Sequence, residues 1–425
     1  MIARARGSVA AAGAGALEAE VPHAIVGAAV EIQTRGGRRC GLVTAMRGTR
    51  VRIAPLDDAA GVAAGDVVYV DTDAPSVRLG MTALGRVLDA HGRALDGGEE
   101  LHGPALPMEP AASRRLVAGT ADSPCWTGVR AIDALATLAR GQRIGIFGGA
   151  GVGKSTLLQT IAANARADAL VVALIGERGR EIAGWQEALG DARGRTAIIC
   201  ATADAPAAVR ARAPLTAMAQ AEYLRALGLH VLLVVDSLAR YCAALRELAA
   251  TNGETTALRG YPPSAFAALG RLLERAGAGA EGAITAICSV LVEGDDEREP
   301  VADAARALLD GHLILSRRVA ESGRFPALDP RASCSRLFSA VASPRHRADA
   351  AVLRRALAAL EEARDLRAVG AYRRGADGLL DAAVAAEEGI EAFLRQDGEP
   401  SSPDQTLAVL AQLAGGLCRS EKGDL

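Results

Sequence analysis

A glycine-rich stretch near residue 150 holds the residue types that bind a chain of phosphate groups. Its residues are Gly148, Gly149, Ala150, Gly151, Val152, Gly153, Lys154, Ser155 and Thr156. The first eight fit the spacing GxxxxGK[ST], in which glycines let backbone N–H groups curl around phosphate oxygens and a helix amino end adds positive charge. The pattern therefore predicts a phosphate-binding loop (P-loop), with Lys154 between the β- and γ-phosphates and Ser155 as a ligand of Mg²⁺.

Lysine usage supports this interpretation over a chance glycine-rich turn. Only two of the 48 lysine and arginine residues are lysines, at positions 154 and 422. A compact ammonium group reaches between phosphates in a way that a planar guanidinium does not. A chain that uses arginine almost everywhere thus keeps a lysine where phosphate chemistry requires one.

Two carboxylates follow apolar runs further along the chain. Asp236 ends the run 231–235, which is the arrangement of the Walker B aspartate that holds the Mg²⁺ shell. Glu177 comes directly after the predicted strand 170–175, on the edge where ligands bind in open α/β sheets. A carboxylate at that edge can orient and polarise an attacking water.

The charged residues beside Glu177 offer further candidates. Arg178 could neutralise charge on the γ-phosphate, and Glu181 could hold a water of the Mg²⁺ shell. The alternative is a solvated charged loop, which is the usual meaning of such a run.

The elements that must position these residues are alternating apolar strands and helices. Continuous apolar runs of this kind are typical of a parallel sheet covered on both faces, and they predict a doubly wound α/β domain. The predicted strands are 143–147, 170–175, 196–202, 230–235, 284–291 and 312–316, and the helix 206–227 lies between two of them.

Different patterns flank this domain. Residues 24–90 predict a small β-barrel or sandwich with strands at 29–34, 39–46, 50–55 and 66–71. Pro104, Pro107 and Pro110 predict a linker, and residues 348–365, 375–395 and 403–414 predict helices. We therefore expect a barrel domain at 1–95, a nucleotide-binding domain at 96–345 and a helical domain at 346–425.

Composition excludes several classes of protein. The chain has 425 residues, of which 50% are hydrophobic and 23% charged, and its net charge of −2 argues against binding nucleic acid. No apolar run is long enough for a membrane-spanning helix, and the first 16 residues make a poor signal peptide. Seven scattered cysteines without a CxxC pair predict neither disulfides nor zinc, and indicate the reducing cytoplasm.

Several longer motifs resemble one family. The segments are IGERGRE (175–181), DSLARY (236–241), RGYPPS (259–264), VEGDD (292–296), LDGHLILSRR (309–318) and PALDPRASCS (326–335). Together they resemble the type III secretion and flagellar export ATPases, which are homologues of the rotary ATPase catalytic subunit. Residues 141–147 and 369–375 look more like the injectisome, or virulence, branch than the flagellar one.

The resemblance implies a fold and additional site residues. The fold is α/β, a RecA-like P-loop core with a parallel sheet, preceded by a small β-barrel and followed by a helical C-terminal domain. The resemblance implies a homohexamer with ATP and Mg²⁺ bound between neighbouring chains. Arg240 matches a phosphate-side arginine, Arg336 matches an arginine finger contributed to the neighbour's site, and Phe325 matches the aromatic that packs on adenine.

The implied function is ATP hydrolysis that energises protein export at the cytoplasmic face of the inner membrane. The implied partners are central stalk and stator proteins, chaperone–substrate complexes and, indirectly, the inner-membrane export gate. A flagellar export ATPase, a rotary ATPase catalytic subunit, an RNA translocase and a non-catalytic nucleotide-binding subunit are the alternatives. The predicted barrel has a single aromatic, Tyr69, too few for a base-stacking platform, and Glu177 argues against a non-catalytic subunit.

Overall fold

A computed structural model of the chain describes residues 4–13, 15–73, 75–109, 122–292 and 299–421. Three regions follow one another along the chain: a barrel, a large α/β region and a bundle of helices. Residues 293–296 of the VEGDD motif, Pro110 of the predicted linker and Lys422 lie outside the described residues.

The amino-terminal region is a closed barrel of six antiparallel strands. In chain order the strands are β1 (Arg4–Ala12), β2 (Leu17–Glu20), β3 (Ala29–Thr34), β4 (Gly37–Arg47), β5 (Arg50–Pro55) and β6 (Val67–Asp71). They hydrogen-bond in the order β1-β2-β5-β4-β3-β6, and β1 pairs with β6 to close the barrel. Inward side chains such as Val30, Ile32, Ile53 and Val68 form its core. The predicted barrel is confirmed.

The sequence did not predict β1 and β2. Residues 4–12 read RARGSVAAA, in which only Val9 has a side chain typical of strands, and it is the one buried residue of β1. Backbone pairing with β2 and β6 makes this segment a strand, and such long-range pairing leaves little trace in a local pattern.

The predicted linker is in part a strand. β7 (Ser76–Arg78) and β9 (Ala105–Pro107) form a two-stranded antiparallel sheet, and β8 (Val87–Asp89) lies between them in the chain. Pro107 is compatible with this sheet because each strand has a neighbour on one side only. Within the predicted linker, residues 105–107 therefore form a strand.

The α/β region is built on a nine-stranded, mostly parallel sheet. The remaining strands of the chain are β10 (Pro124–Cys125), β11 (Leu138–Ala139), β12 (Arg143–Gly148), β13 (Ala169–Glu177), β14 (Thr196–Thr202), β15 (His230–Asp236), β16 (Gly277–Ala278), β17 (Ala283–Leu291), β18 (Gly311–Ile314) and β19 (Cys334–Ser335). The order is β19-β18-β12-β17-β15-β13-β14-β8, with β16 on β17, while β10 and β11 pair separately. All six predicted strands are present.

The α/β region also contains helices, several of which cover the two faces of the sheet. They are α1 (Arg130–Leu135), α2 (Lys154–Asn164), α3 (Gly179–Ala188), α4 (Ala207–Ala226), α5 (Leu238–Thr251), α6 (Pro263–Leu273), α7 (Pro300–Leu308), α8 (Arg317–Glu321) and α9 (Phe338–Val341). Along β15, Val231, Leu233 and Val235 join one apolar cluster, and Leu232 and Val234 join the other. Burial on both faces explains why the strands are continuous apolar runs.

The carboxyl-terminal helices pack on the α2 face. They are α10 (Pro344–Glu362), α11 (Arg364–Ala368), α12 (Gly378–Ala385), α13 (Glu387–Leu394) and α14 (Pro403–Glu421). The predicted helical segment at 375–395 contains two helices, which meet at Ala386. The first begins only after Asp377, whose carboxylate caps the N–H groups of Leu379 and Leu380.

Candidate active site

The P-loop joins β12 to α2 at the carboxyl edge of the sheet. Gly148 and Gly149 are buried, Val152 anchors the loop in the core, and Ala150, Ser155 and Thr156 are exposed. Gly151 and Gly153 have φ angles of 77° and 91°, in the left-handed region that favours glycine. The loop is therefore fixed at its base and open to a ligand at its tip.

Lys154 is the first residue of α2. Its Nζ donates to the carbonyl oxygen of Gly148 at 2.8 Å and also to that of Gly149. Burial lowers the pKa of Lys154 to about 8, Asp236 opposes this change, and Arg240 adds to it. A phosphate group would offer this half-buried ammonium an anionic partner in place of neutral carbonyls.

Asp236 ends β15 and is only 5% exposed. Ser289 Oγ donates to Asp236 Oδ1, whereas Asp236 Oδ2 is buried without a hydrogen-bond partner among the described residues. Burial raises the pKa of Asp236, and the hydroxyl of Ser289, the ammonium of Lys154 and the hydroxyl of Ser155 lower it.

These residues fit a Mg²⁺ ion bound together with a nucleotide. The orphaned Asp236 Oδ2 and the Ser155 hydroxyl are both hard oxygen donors, and Mg²⁺ is held by one or two such groups plus substrate phosphates. Among the described residues no group of three or more histidine, cysteine or acidic side chains could hold a metal without a nucleotide.

Glu177 and Arg240 form an ion pair beside the P-loop. Glu177 ends β13 and is 4% exposed, and its Oε1 contacts Nη1 of Arg240 in α5. The same nitrogen lies 3.5 Å from the carbonyl oxygen of Ile175. Burial lowers the pKa of Arg240. In this conformation the carboxylate faces a cation of its own chain, an arrangement that the sequence did not predict.

Arg178 and Glu181 lie at the amino end of α3, close to the carboxyl end of β13. Arg178 is the residue before the helix and is exposed, and Glu181 is half-buried in the first turn. The charge of Glu181 raises the pKa of Asp236, so the two carboxylates are electrostatic neighbours. The predicted metal-shell residues Ser155, Asp236 and Glu181 are thus brought together.

Phe325 lies next to the P-loop although 172 positions separate it from Gly153 in the chain. A Cβ built on Gly153 would be 4.0 Å from Cδ1 and Cε1 of Phe325. The ring is 46% exposed, which is unusual for phenylalanine. An exposed aromatic ring at the end of a phosphate-binding loop is suited to stack on a base.

Arg336 lies at the opposite end of the sheet. It follows β19, which runs antiparallel to β18 with Ser335 opposite Gly311. The N–H of Arg336 donates to the carbonyl oxygen of Asp310 at 3.0 Å, and Nη2 donates to that of Arg306 at 3.2 Å. β12 lies between this end and the P-loop, and its six residues span about 17 Å. Exposed Arg336 is therefore not assembled with its own chain's P-loop.

Ser289, which contacts Asp236, is not among the residues predicted from the sequence. A polar side chain inside the otherwise apolar run of β17 is the signal that could have drawn attention to it.

Comparison with known proteins identifies the family. The flagellum-specific ATP synthase of Salmonella typhimurium (strain LT2) is 45% identical over 371 residues, which is 83% of this chain and 80% of the relative. The SPI-2 type 3 secretion system ATPase of the same organism is 43% identical, over 89% of this chain and 88% of the relative. The chain belongs to the type III secretion and flagellar export ATPase family.

Family models and solved structures agree with this assignment. Residues 128–335 of this export ATPase match the ATP synthase alpha/beta family, nucleotide-binding domain, and residues 342–412 match the T3SS EscN ATPase C-terminal domain. The assembled ATPase EscN from the type III secretion system of enteropathogenic E. coli matches with a TM-score of 0.88 and 36% identity. That match covers 96% of this chain and 100% of the EscN chain. The export ATPase is accordingly an ATP-hydrolysing enzyme. Of the helices described, none is both long and apolar enough to cross a membrane.

Proposed function

We propose that this export ATPase serves an injectisome, a virulence-type type III secretion apparatus, where ATP hydrolysis releases chaperones, unfolds substrates and energises their export. The convergence of the P-loop, Asp236 and Glu177 at one sheet edge carries the catalytic part of the proposal. The match of residues 342–412 to the EscN C-terminal domain supports the injectisome branch. Flagellar export is the second candidate, because a flagellar relative is 45% identical.

The proposed reaction is attack of water on the γ-phosphorus of ATP, with cleavage of the bond to the oxygen that bridges the β- and γ-phosphates. Lys154 neutralises charge on these phosphates, and the N–H groups of residues 148–156 bind their oxygens. Ser155, Asp236 and, through water, Glu181 hold Mg²⁺, which when bound stabilises phosphate charge as a Lewis acid.

Glu177 acts on the attacking water in this proposal. Its carboxylate accepts a hydrogen bond from the water and so orients the oxygen towards phosphorus. The ion pair with Arg240 must therefore open, and the γ-phosphate competes for the guanidinium because it is also an anion. Arg240 and Arg178 then neutralise charge on the γ-phosphate.

Arg336 acts in a neighbouring chain of a homohexamer. Its place beyond the amino end of β12, away from its own P-loop, supports a role in trans. An exposed guanidinium there can reach the γ-phosphate bound by the next chain, as arginine fingers do. The EscN structure, described as assembled, supports an oligomer.

The proposed partners are the central stalk, stator proteins and chaperone–substrate complexes, with indirect contact to the inner-membrane export gate at the cytoplasmic face. Assembled EscN in complex with its central stalk EscO matches this chain with a TM-score of 0.88 and 35% identity. The turn after α11 exposes Val369, whose exposed fraction is 77%, and thus offers an apolar contact point.

Phe325→Ala should weaken nucleotide affinity with little effect on kcat. Stacking contributes about 0.5–1.5 kcal/mol beyond area burial, which corresponds to roughly a two- to tenfold rise in Kd. The measurement is titration with a fluorescent ATP analogue, and Phe338→Ala, which removes another partly buried ring away from the P-loop, is the control. An unchanged Kd in the folded Phe325 variant would contradict a role in base binding.

Two measurements test the proposed function. Purified full-length protein should hydrolyse Mg-ATP, and Lys154→Ala should abolish turnover without unfolding the chain, because Lys154 is only half-buried at the amino end of α2. Added RNA should not stimulate turnover, and stimulation would favour the RNA translocase alternative.

The injectisome assignment is tested by expression in a strain that lacks its injectisome ATPase and in one that lacks its flagellar ATPase. Restored effector secretion without motility is expected, and restored motility alone would overturn the injectisome assignment.

A further inference from the structure

A buried hydroxyl group lies between the two halves of the nucleotide site. β17, which carries Ser289, is the central neighbour of both the P-loop strand β12 and the Asp236 strand β15. Ser289 is opposite Ile146 of β12, and Cys288 is opposite Val235, so Ser289 and Asp236 lie at the same level of the sheet. The side chain of Ser289 is fully buried.

The hydrogen bond from Ser289 makes the two oxygens of Asp236 different. Oδ1 accepts from Ser289 Oγ, whereas Oδ2 is buried and without a partner among the described residues. A carboxylate held by one oxygen cannot rotate freely about its Cβ–Cγ bond. The other oxygen therefore keeps one direction, and its lone pairs stay available to a ligand.

We propose that Ser289 is a positioning residue that aims Asp236 Oδ2 at the Mg²⁺ shell of the bound nucleotide. The inference rests on the proposed Mg-nucleotide site and adds a residue that does not itself touch the ion. Hydrogen-bond partners that orient metal ligands typically change metal affinity by 10–100-fold when they are removed. Ser289 supplies such a bond from β17, the strand between the P-loop strand β12 and the Asp236 strand β15.

Thr285 provides a control that separates the orientation of Asp236 from general stability. Thr285 lies on the same strand and the same face, four residues before Ser289, and it is also fully buried. Its Oγ1 accepts from the N–H of Gly141 at 2.9 Å and lies 2.8 Å from Nε2 of His230. Thr285→Val therefore removes a buried hydroxyl about 13 Å along the strand from Ser289 and serves as the matched control.

The experiment measures the Kd of a non-hydrolysable fluorescent ATP analogue with Mg²⁺ and with EDTA, on full-length protein, so that turnover plays no part. The readout is the Kd in EDTA divided by the Kd with Mg²⁺, and this ratio is called the Mg²⁺ advantage. Ser289→Ala should reduce the Mg²⁺ advantage at least tenfold with an unchanged Kd in EDTA. Ser289→Thr, which keeps the hydroxyl, should stay within about twofold of wild type, and Thr285→Val should lower Tm without changing the ratio.

The possible outcomes distinguish the Mg-nucleotide site from the role of Ser289 in it. A wild-type protein without any Mg²⁺ advantage would overturn the proposed site itself. A wild-type advantage that Ser289→Ala retains, or that Thr285→Val loses equally, would overturn only the positioning role. If Ser289→Ala does not fold, Ser289→Cys replaces it, because a thiol fills the same space and donates only weakly. A Mg²⁺ advantage of Ser289→Cys equal to that of Ser289→Thr would then contradict the positioning role.

Discussion

Rings that mix Arg336→Ala chains with Lys154→Ala chains should hydrolyse ATP, although rings of either variant alone should be nearly inactive. An arginine finger contributes about 10³–10⁵ in rate, and loss of the P-loop lysine removes the charge between the β- and γ-phosphates. In a mixed ring, some interfaces join the intact P-loop of an Arg336→Ala chain to the intact Arg336 of a Lys154→Ala chain. Those interfaces hold both an intact P-loop and an intact Arg336, so they should hydrolyse ATP.

The measurement is ATPase activity against mixing ratio, after native mass spectrometry has established that mixed rings form. Arg345→Ala is the control, since Arg345 is also exposed and pairs with Asp349 of its own chain, at 3.8 Å. Rings of this control should keep their activity. Mixed rings as inactive as both parents would mean that Arg336 does not act across the subunit boundary.

Glu177→Gln should bind Mg-ATP and lose turnover by about 10²–10⁴, the usual contribution of a positioned acid–base group. The amide keeps the size of the side chain but cannot act as a carboxylate towards water. It also cannot form the ion pair with Arg240. The guanidinium is then free to bind the γ-phosphate, so the affinity for ATP should not fall.

Single-turnover hydrolysis and nucleotide titration measure these two effects separately. Glu187→Gln is the matched control, because Glu187 is an exposed glutamate near the end of α3, two residues after the buried Trp185. Its turnover should equal that of the wild type. Loss of ATP binding together with turnover in Glu177→Gln would assign Glu177 a structural role.

Local physics explains what could be predicted without the structure. The P-loop is one continuous segment whose glycines, lysine and serine meet the same phosphates, so its spacing alone identifies it. Strands buried on both faces leave an uninterrupted apolar run, and each such run near 143, 170, 196, 230, 284 and 312 became a strand of the sheet. Asp236 and Glu177 were found because they directly follow such runs.

Contacts between residues that are distant in the chain could be identified only from the structure. Ser289 contacts Asp236 across 53 positions because β17 and β15 are neighbours in a particular register. Phe325 lies beside Gly153 although nothing in the sequence around either residue indicates this contact. In the same way, β1 became a strand through pairing with β2 and β6.

Local patterns were enough to predict the phosphate-binding loop, the strands that carry the carboxylates and the order of the three regions. Three contacts or positions became visible only in the folded chain: Glu177 pairs with Arg240, Ser289 holds Asp236, and Arg336 lies at the far end of β12 from its own P-loop. Apolar periodicity and glycine spacing act within a few residues. The partner of a buried polar group, in contrast, is set by strand order and register between segments that are distant in the chain.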